Sequence, residues 1–346
     1  MRQLYRSKEW LISILLVISI LTIGMATMLF GKTSISLTEF LFIFKGDEAD
    51  PVVERIVMQL RLPRYIIAVL AGSMLGLAGV ILQSITKNPL AEPSIIGVTS
   101  GSVLAAVLAI TMAPSYLTTS SVLPVFACIG GLIATLLVFY ISNKAGNGDV
   151  QIALIGVLIS SILQATTSFI LLTRQEAMGS VLLWVIGSLN GRVWIHVYII
   201  LPFALIGITL GLLSASLTNG LRLGDTQASL LGLPVKKTRL LLLGLSAILT
   251  AGAVSVVGAI GFIGLIGPHL AKRFVGEDAR KAFPLSILIS ALILAGSDFI
   301  AQNLIVAVPI PSFNQEAQLP AGAITALLGA PFFLYILRKH VVKRGG

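Results

Sequence analysis

The chain alternates between long uncharged apolar runs and short polar breaks. Ten runs stand out, at about 10–30, 62–85, 95–113, 121–142, 150–172, 195–216, 239–257, 258–275, 283–303 and 320–337. Most approach the roughly 20 residues a helix needs to cross the hydrocarbon core of a bilayer. The seventh and eighth abut and can be misread as one long helix. The first follows Arg2, Arg6 and Lys8 and is 21 residues long. A signal peptide has an apolar core of about 7–15 residues and a small-residue cleavage site, so this run reads as a retained span. The pattern predicts an all-α polytopic membrane protein of about ten transmembrane helices. It forms a single transmembrane domain over 1–346, because no loop is long enough for a second, soluble one.

Composition agrees. Hydrophobic residues make up 56% of the chain and charged residues 11%, against about 25% charged in soluble domains. That excludes both an ordinary soluble protein and a disordered one. The net charge of +10 raises nucleic acid as a partner, but its distribution removes it. Most basic residues flank alternate spans: Arg2, Arg6, Lys8; Lys87; Lys144; Arg222, Lys236, Lys237, Arg239; Lys272, Arg273, Arg280, Lys281; and Arg338, Lys339, Lys343, Arg344. The other side keeps Lys32, Lys45, Arg55, Arg61, Arg64, Arg174 and Arg192. The positive-inside rule then places both termini in the cytoplasm. An odd number of spans would export one terminal basic cluster, so the count is even.

Within the spans, ionisable residues are scarce. Asp298 is the one candidate, near the outer end of the ninth span, where a carboxylate at a helix end touching water suffices to explain it. Ion-coupled transporters usually carry more intramembrane charge, so energy for transport comes from elsewhere. Glycine is abundant. Gly72 and Gly76, Gly97 and Gly101, and Gly207 and Gly211 form GxxxG pairs that let helices approach closely. Gly258, Gly261, Gly264 and Gly267 suit a helix that is closely surrounded or bent, and Pro268 favours local distortion.

Four breaks carry further information. In Asn88-Pro89-Leu90-Ala91-Glu92-Pro93-Ser94, two prolines four apart exclude one regular helix. The segment is either a cytoplasmic turn or the mouth of a pathway, where irregular backbone is buried in protein or lines a wet cavity. Segment 173–194, bracketed by Trp184 and Trp194, reads as an interfacial helix and turn. In the outer segment 31–60, Asp47, Glu48, Asp50 and Glu54 lie near Arg55, Arg61 and Arg64, and Pro63 suits the first turn of the second span. Segment 217–239 is the longest cytoplasmic loop. There Asp225 can cap a short helix, Gly232 can end it and Pro234 prevents its continuation. Leu230, Leu231 and Leu233 then either expose apolar surface to a partner or fold back on the membrane face.

No GxxxxGK[ST] phosphate loop and no HExxH occurs, so the chain does not bind ATP in the usual way. His196, His269 and His340 lack partners at metal-ligand spacing, and the single Cys128 sits in an apolar run. No metal site and no catalytic constellation is expected, which argues against a membrane-embedded enzyme.

Six motifs in order resemble the permease subunits of ABC importers for iron-siderophores, haem and cobalamin. They are Arg61-Leu62-Pro63-Arg64; Gly79 to Gln83 with Asn88 to Pro93, Gly97 and Gly101; Trp184, Gly187-Ser188-Leu189 and Trp194; Leu223-Gly224-Asp225 with Leu231-Gly232; Gly258 to Leu265 with Pro268-His269; and Gly329-Ala330-Pro331-Phe332-Phe333. The resemblance covers about residues 55–338. It implies a cobalamin-permease-like bundle that pairs with a second permease subunit, identical or not, around a central pathway. It also implies two cytoplasmic ATP-binding subunits, on which ATP and Mg act, and an extracytoplasmic substrate-binding protein. Membrane lipid surrounds the bundle. The expected cargo is a ferric siderophore, with haem and cobalamin open and an ion-coupled secondary transporter as rival.

By the same resemblance, Leu223, Gly224, Asp225, Leu231, Gly232, Pro234 and Arg239 belong to the loop that seats in the ATPase. Asn88, Pro89 and Leu90 narrow the cytoplasmic mouth, close to the loop 143–149. Arg61 and Arg64 face the binding protein. One position departs: where the family often has an arginine four residues after the aspartate matching Asp298, this chain has Gln302. The outer loop at 305–319, with Pro309, Pro311 and Glu316, also looks longer than usual.

Overall fold

A computed structural model describes residues 2–31, 33–45, 50–112, 122–145, 149–173, 178–306 and 317–344. Each of the ten predicted runs coincides with a helix: α1 (Arg2–Leu29), α4 (Leu62–Ile85), α5 (Val98–Met112), α6 (Leu123–Ala145), α7 (Asp149–Thr173), α9 (Trp194–Leu213), α12 (Val235–Val257), α13 (Ile263–Val275), α14 (Ala279–Asn303) and α15 (Ala321–Arg344). Among the described residues, eight helical segments are long and apolar enough to cross a membrane. Helices α5 and α13, with 15 and 13 residues, are short. Shorter helices complete the chain: α2 (Leu37–Lys45), α3 (Pro51–Arg55), α8 (Met178–Ile186), α10 (Ala215–Arg222) and α11 (Asp225–Leu230). Ile305–Val306 pairs antiparallel with Ala317–Gln318. Most of the predicted long outer loop, with Pro309, Pro311 and Glu316, lies outside the described residues, as do Lys32, Asp47, Glu48, Arg174 and residues 146–148.

The second span begins earlier than the sequence pattern suggests. A continuous helical path runs from Pro51, capped by the Asp50 side chain, through a π-helical turn at Ile56–Arg61 into α4. Pro63 therefore lies inside a helix, just beyond a widened turn of the ladder. The carbonyl of Met58, in that turn, accepts from Trp194 Nε1 at 2.7 Å.

Helix α4 is the axis of the bundle. In α4 and α12 the most apolar stretch is 78% buried, against 22% in α1 and 28% in α7. Outward leucines, isoleucines and phenylalanines on α1, α6, α7, α9 and α15 form the lipid-facing rim of a protein apolar outside as well as inside. Glycine sets the closeness of the centre. A Cβ at Gly79 would lie 1.9 Å from the carbonyl oxygen of Gly264, and one at Gly76 would lie 2.2 Å from Ser290 Oγ. A Cβ at Gly267 would meet the same hydroxyl at 1.8 Å. Helices α4, α13 and α14 therefore meet backbone to backbone, as small residues allow in membranes. Ser286 and Ser246 donate to the carbonyls of Gly76 and Ala78 at 2.9 and 3.0 Å.

The glycine run 258–267 is not one helix face. Gly258 has φ 75° and ends α12, and Gly258 and Gly261 lie in an irregular link before α13. Only Gly264 and Gly267 pack within a helix. Gly97 likewise has φ 83° and precedes α5, so of its GxxxG pair only Gly101 lies within a helix; a Cβ there would meet Ala134 and Gly130 of α6 at 2.4 and 2.5 Å, whereas one at Gly97 would make an ordinary 3.4 Å contact with Val138. The backbone of the link is satisfied from outside, as irregular chain in a membrane bundle requires. Ala259 N donates to Trp184 O at 3.1 Å, Ser188 N to Val257 O at 2.9 Å, and Phe262 N to Glu92 Oε1 at 2.6 Å.

Gly79→Ala is expected to abolish the yield of folded, monodisperse protein in detergent, because its methyl group has no room at α13. Gly244→Ala, where a Cβ meets nothing within 4 Å, should shift stability by no more than about 0.5 kcal/mol. Equal thermal unfolding of the two variants would contradict the close crossing.

Candidate functional site

Three groups of candidate residues fall at two ends of the bundle. The first is the segment linking α4 to α5. Asn88 Oδ1 accepts from Leu90 N at 2.9 Å, and Asn88 O accepts from Ala91 N at 3.1 Å, an Asx turn closed by a backbone turn. Lys87 and Asn88 are exposed and Pro89 is half-buried. Leu90 enters an apolar cluster with Phe262, Leu265, Ile266, Phe332 and Ile336. From Ala91 onward the chain turns into the protein. Pro93 Cδ lies 2.8 Å from the place a Cβ on Gly264 would take, and the carbonyl of Ile95 lies 2.0 Å from such a position on Gly156 of α7. The segment thus combines an exposed turn at Lys87 and Asn88 with a stretch from Ala91 onward that is packed in protein.

Glu92 fixes it. Its carboxylate accepts the N–H of Phe262, which has φ 67° and immediately precedes α13. It thereby caps, from another part of the chain, a helix whose own N-terminal residues have no side-chain cap. Burial raises the carboxyl above its ordinary value, and the hydrogen bonds to Phe262 and Ser94 pull it back.

The second group is the elbow α10–α11. Gly224 (φ 110°) precedes α11. Asp225 does not cap this helix with its side chain, as its position suggested. It is the first helical residue, and its carboxylate binds Arg239 at 2.9 Å. The C-terminus does end on Gly232, at φ 79°. Leu233 N donates to Ala228 O at 3.0 Å and Gly232 N to Ser229 O at 2.9 Å, a Schellman motif, and Pro234 follows as the last residue before α12. Leu223, Leu230 and Leu231 are exposed, at 58%, 82% and 65%. Leu233 is not: it is half-buried, with Cδ1 2.3 Å from the place of a Cβ on Gly220. The elbow is bolted to the α13–α14 corner. Arg222 binds Glu277 at 2.8 Å, Asn219 bridges the Asp278 carboxylate at 2.7 Å and Ala279 N at 2.9 Å, and Arg280 reaches Ser216 at 3.2 Å.

The third group corrects the sequence reading. Arg61 is 7% exposed and does not face outward. Its guanidinium donates to Met28 O at 2.5 Å and to Thr33 O, securing the C-terminal end of α1, where a cation suits the helix dipole. Arg64 makes a two-pronged pair with Asp298, Nε–Oδ2 2.9 Å and Nη2–Oδ1 2.8 Å, the bidentate geometry that guanidinium favours. Gln302 donates to Asp298 Oδ2 at 2.8 Å. Asp298 is thus a buried partner joining α4 to α14 and not a carboxylate in water. Gln302 completes this pair and offers no outward contact. The partners are 234 positions apart, so no local signal shows it.

The sequence reading named Arg192, Trp184 and His196 but not the contact that brings them together. Arg192 lies over the Trp184 ring at 5.4 Å, with Nη1 3.3 Å from His196 Nε2; burial brings its guanidinium down to about 10. Trp184 is itself buried, packed with Ala106 and Ala127.

A buried helical core with an exposed, rigidly held elbow at one end defines a membrane permease that works with other subunits. Residues 14–339 match the FecCD transport family, and the chain belongs to that family. It is similar to the Fe(3+)-citrate import system permease protein YfmE of Bacillus subtilis, 34% identical over 96% of this chain and 94% of that one. Against the cobalamin import system permease protein BtuC of Halobacterium salinarum it is 38% identical over 83% of this chain and 74% of that one. A solved inward-facing structure of a metal-chelate type ABC transporter superposes with TM-score 0.81 at 30% identity, covering 95% of this chain and 99% of the other. The chain is accordingly a multi-pass protein of the cytoplasmic membrane and the permease component of an ABC importer.

Two predictions follow from the geometry. Arg64→Ala or Asp298→Ala leaves one buried charge unpaired and should cost about 3–5 kcal/mol, whereas the double substitution to apolar residues should recover much of it; thermal unfolding in detergent reads both. Because the Glu92 carboxyl binds its proton more tightly in the folded protein, its contribution to stability falls as pH rises from about 4.5 through the raised value. Glu92→Gln should lack that fall, so the difference in unfolding temperature between variant and wild type should grow with pH over this range. A constant difference would contradict it.

Proposed function

We propose that the chain carries a ferric chelate of the siderophore class across the membrane, driven by two separate ATP-binding subunits on which ATP and Mg act. The basic end, with both termini, faces the cytoplasm. A second permease subunit, identical or not, completes the pathway, and an extracytoplasmic binding protein delivers the cargo. The observation that carries this reading is the elbow α10–α11. It presents Leu223, Leu230 and Leu231 to the outside of the fold while Arg222, Asn219 and the Asp225–Arg239 pair hold it rigid. Large exposed apolar groups on a fixed support suit a protein partner.

Asn88, Pro89 and Leu90 serve as the cytoplasmic gate in this reading, supported by the burial of the chain that follows them. Binding-protein docking does not use Arg61, Arg64 or Gln302. It falls to exposed charges such as Glu54 and Arg55, which border a cleft of about 570 Å³ with Met58 and Val193. The cargo assignment draws on the relatives for ferric citrate. The cobalamin relative keeps a cobalamin pathway as the second reading, with haem behind it. An ion-coupled carrier is disfavoured because Asp298 is committed to Arg64 and Glu92 to Phe262.

Iron-55 uptake, supplied as several ferric chelates to cells with and without the gene, tests the assignment. Uptake should depend on the gene and on ATP. Uptake that follows the ion gradient instead would overturn it, and cobalamin uptake alone would select the second reading. Gly232→Val forces a β-branched residue into a left-handed conformation. It should leave ATP hydrolysis by the assembled transporter running while uptake falls at least about tenfold. Unchanged uptake would remove the elbow from the coupling.

A further inference from the structure

At the basic end a cavity of about 610 Å³ opens between the C-terminal ends of α4, α13 and α15, with α10 and the α4–α5 segment on its rim. That volume is in the range of small-molecule sites. Its walls are of two kinds. Phe332, Tyr335, Ile336 and Leu270 are apolar or aromatic, whereas Lys87, Arg222, Lys272 and Arg273 contribute four cations against one carboxylate, Glu277. Arg222 already engages that carboxylate, through Nη2 at 2.8 Å and through the backbone carbonyl of the same residue. Lys272 is half-buried and turned inward, its ammonium donating to the neutral amide oxygen of Gln83 at 3.3 Å. The positive-inside rule explains cations that flank helices. It does not explain a lysine directed into a chamber and held by an amide.

We propose that this cavity is an anion-receiving chamber on the inner side of the gate, which makes negatively charged, carboxylate-rich ferric chelates the favoured cargo. The proposal rests on reading residues 88–90 as the gate, since Pro89 forms part of the chamber wall. An excess of cations in a concave, partly apolar site focuses the field and concentrates anions. The lysines supply this attraction as mobile point charges, without the fixed fork of a bidentate clamp. A ligand passing through must be held strongly enough to enter and weakly enough to leave. The aromatic wall of α15 offers a surface for the apolar parts of the chelate. A neutral or cationic chelate gains nothing from Lys87, Lys272 and Arg273.

The test uses the permease assembled with its ATP-binding subunits in nanodiscs of phosphatidylcholine, without binding protein, and iron-55 citrate as probe. Saturable binding is expected, weakened by salt and about tenfold weaker in Lys87→Gln/Lys272→Gln/Arg273→Gln. Lys87→Arg/Lys272→Arg keeps the charges and should bind like wild type; unchanged unfolding temperatures show that the variants are folded. Cationic ferrioxamine B should bind weakly and equally to all. Three results would overturn the proposal: no saturable citrate binding, equal binding of both chelates, or loss of binding in phosphatidylglycerol nanodiscs, which would assign the cavity to a lipid headgroup. ATP-dependent uptake in cells is scored separately. If uptake persists while binding is absent, the chamber fails and the permease reading stands.

Discussion

The crossing of α4 with α13 and α14 is the constraint on which the rest of the structure depends. In a bilayer, apolar side chains gain little by leaving lipid for protein, so helices associate through close packing and hydrogen bonds. Gly72, Gly76 and Gly79 on α4 face Ser290, Ala291 and Gly264 at distances that admit no Cβ. Serine hydroxyls from α12 and α14 reach the α4 carbonyls across the same contact. Once α4 is fixed there, Gln83 near its C-terminal end points at α13 and Arg64 near its start points at α14. The polar contacts at both ends follow from the glycine contact in the middle.

The few charged groups inside are consumed in holding that arrangement. Arg61 secures α1, Arg64 and Asp298 join α4 to α14, and Glu92 caps α13 from a neighbouring segment. Each is a long-range partner for a group that would otherwise be buried alone, the condition under which an internal charge is tolerated. Among the described residues, these four groups are each engaged in a structural contact, which suits an importer driven by separate ATP-binding subunits.

What the sequence could show was decided by distance along the chain. Apolar run length located all ten helices, because crossing a membrane is a local requirement. The Schellman end at Gly232 was legible for the same reason: a left-handed glycine followed by proline is a local signal. The break at Gly258 was hinted at by abutting runs and spaced glycines, but nothing local showed that Gly258 and Gly261 lie in an irregular link outside both helices. Orientations of long polar side chains were not legible. Arg61 and Arg64 look like outward charges on a helix end until Met28 and Asp298, 33 and 234 positions away, are brought beside them, and Gln302 looks like an outward polar group until it joins the same pair. Leu233 turns inward for a similar reason, since only the folded elbow places Gly220 beneath it.

Helix α13 links the two ends of the proposed transport cycle. Its 13 residues span roughly 20 Å. At its start, Phe262 is held by Glu92 and Gly264 packs on Pro93, so it carries the segment next to the gate. Just past its end, Glu277 and Asp278 are bound by Arg222 and Asn219, so it is fastened to the elbow. This short helix is anchored at both ends and has irregular chain on its N-terminal side at 258–262. In the proposed cycle, a displacement of the elbow by an ATP-binding partner would pass through this helix to the segment after α4, with the glycine link placed to absorb the change in backbone angle. That division of labour accounts for the placement of irregular backbone on one side of α13 and dense ionic contacts on the other.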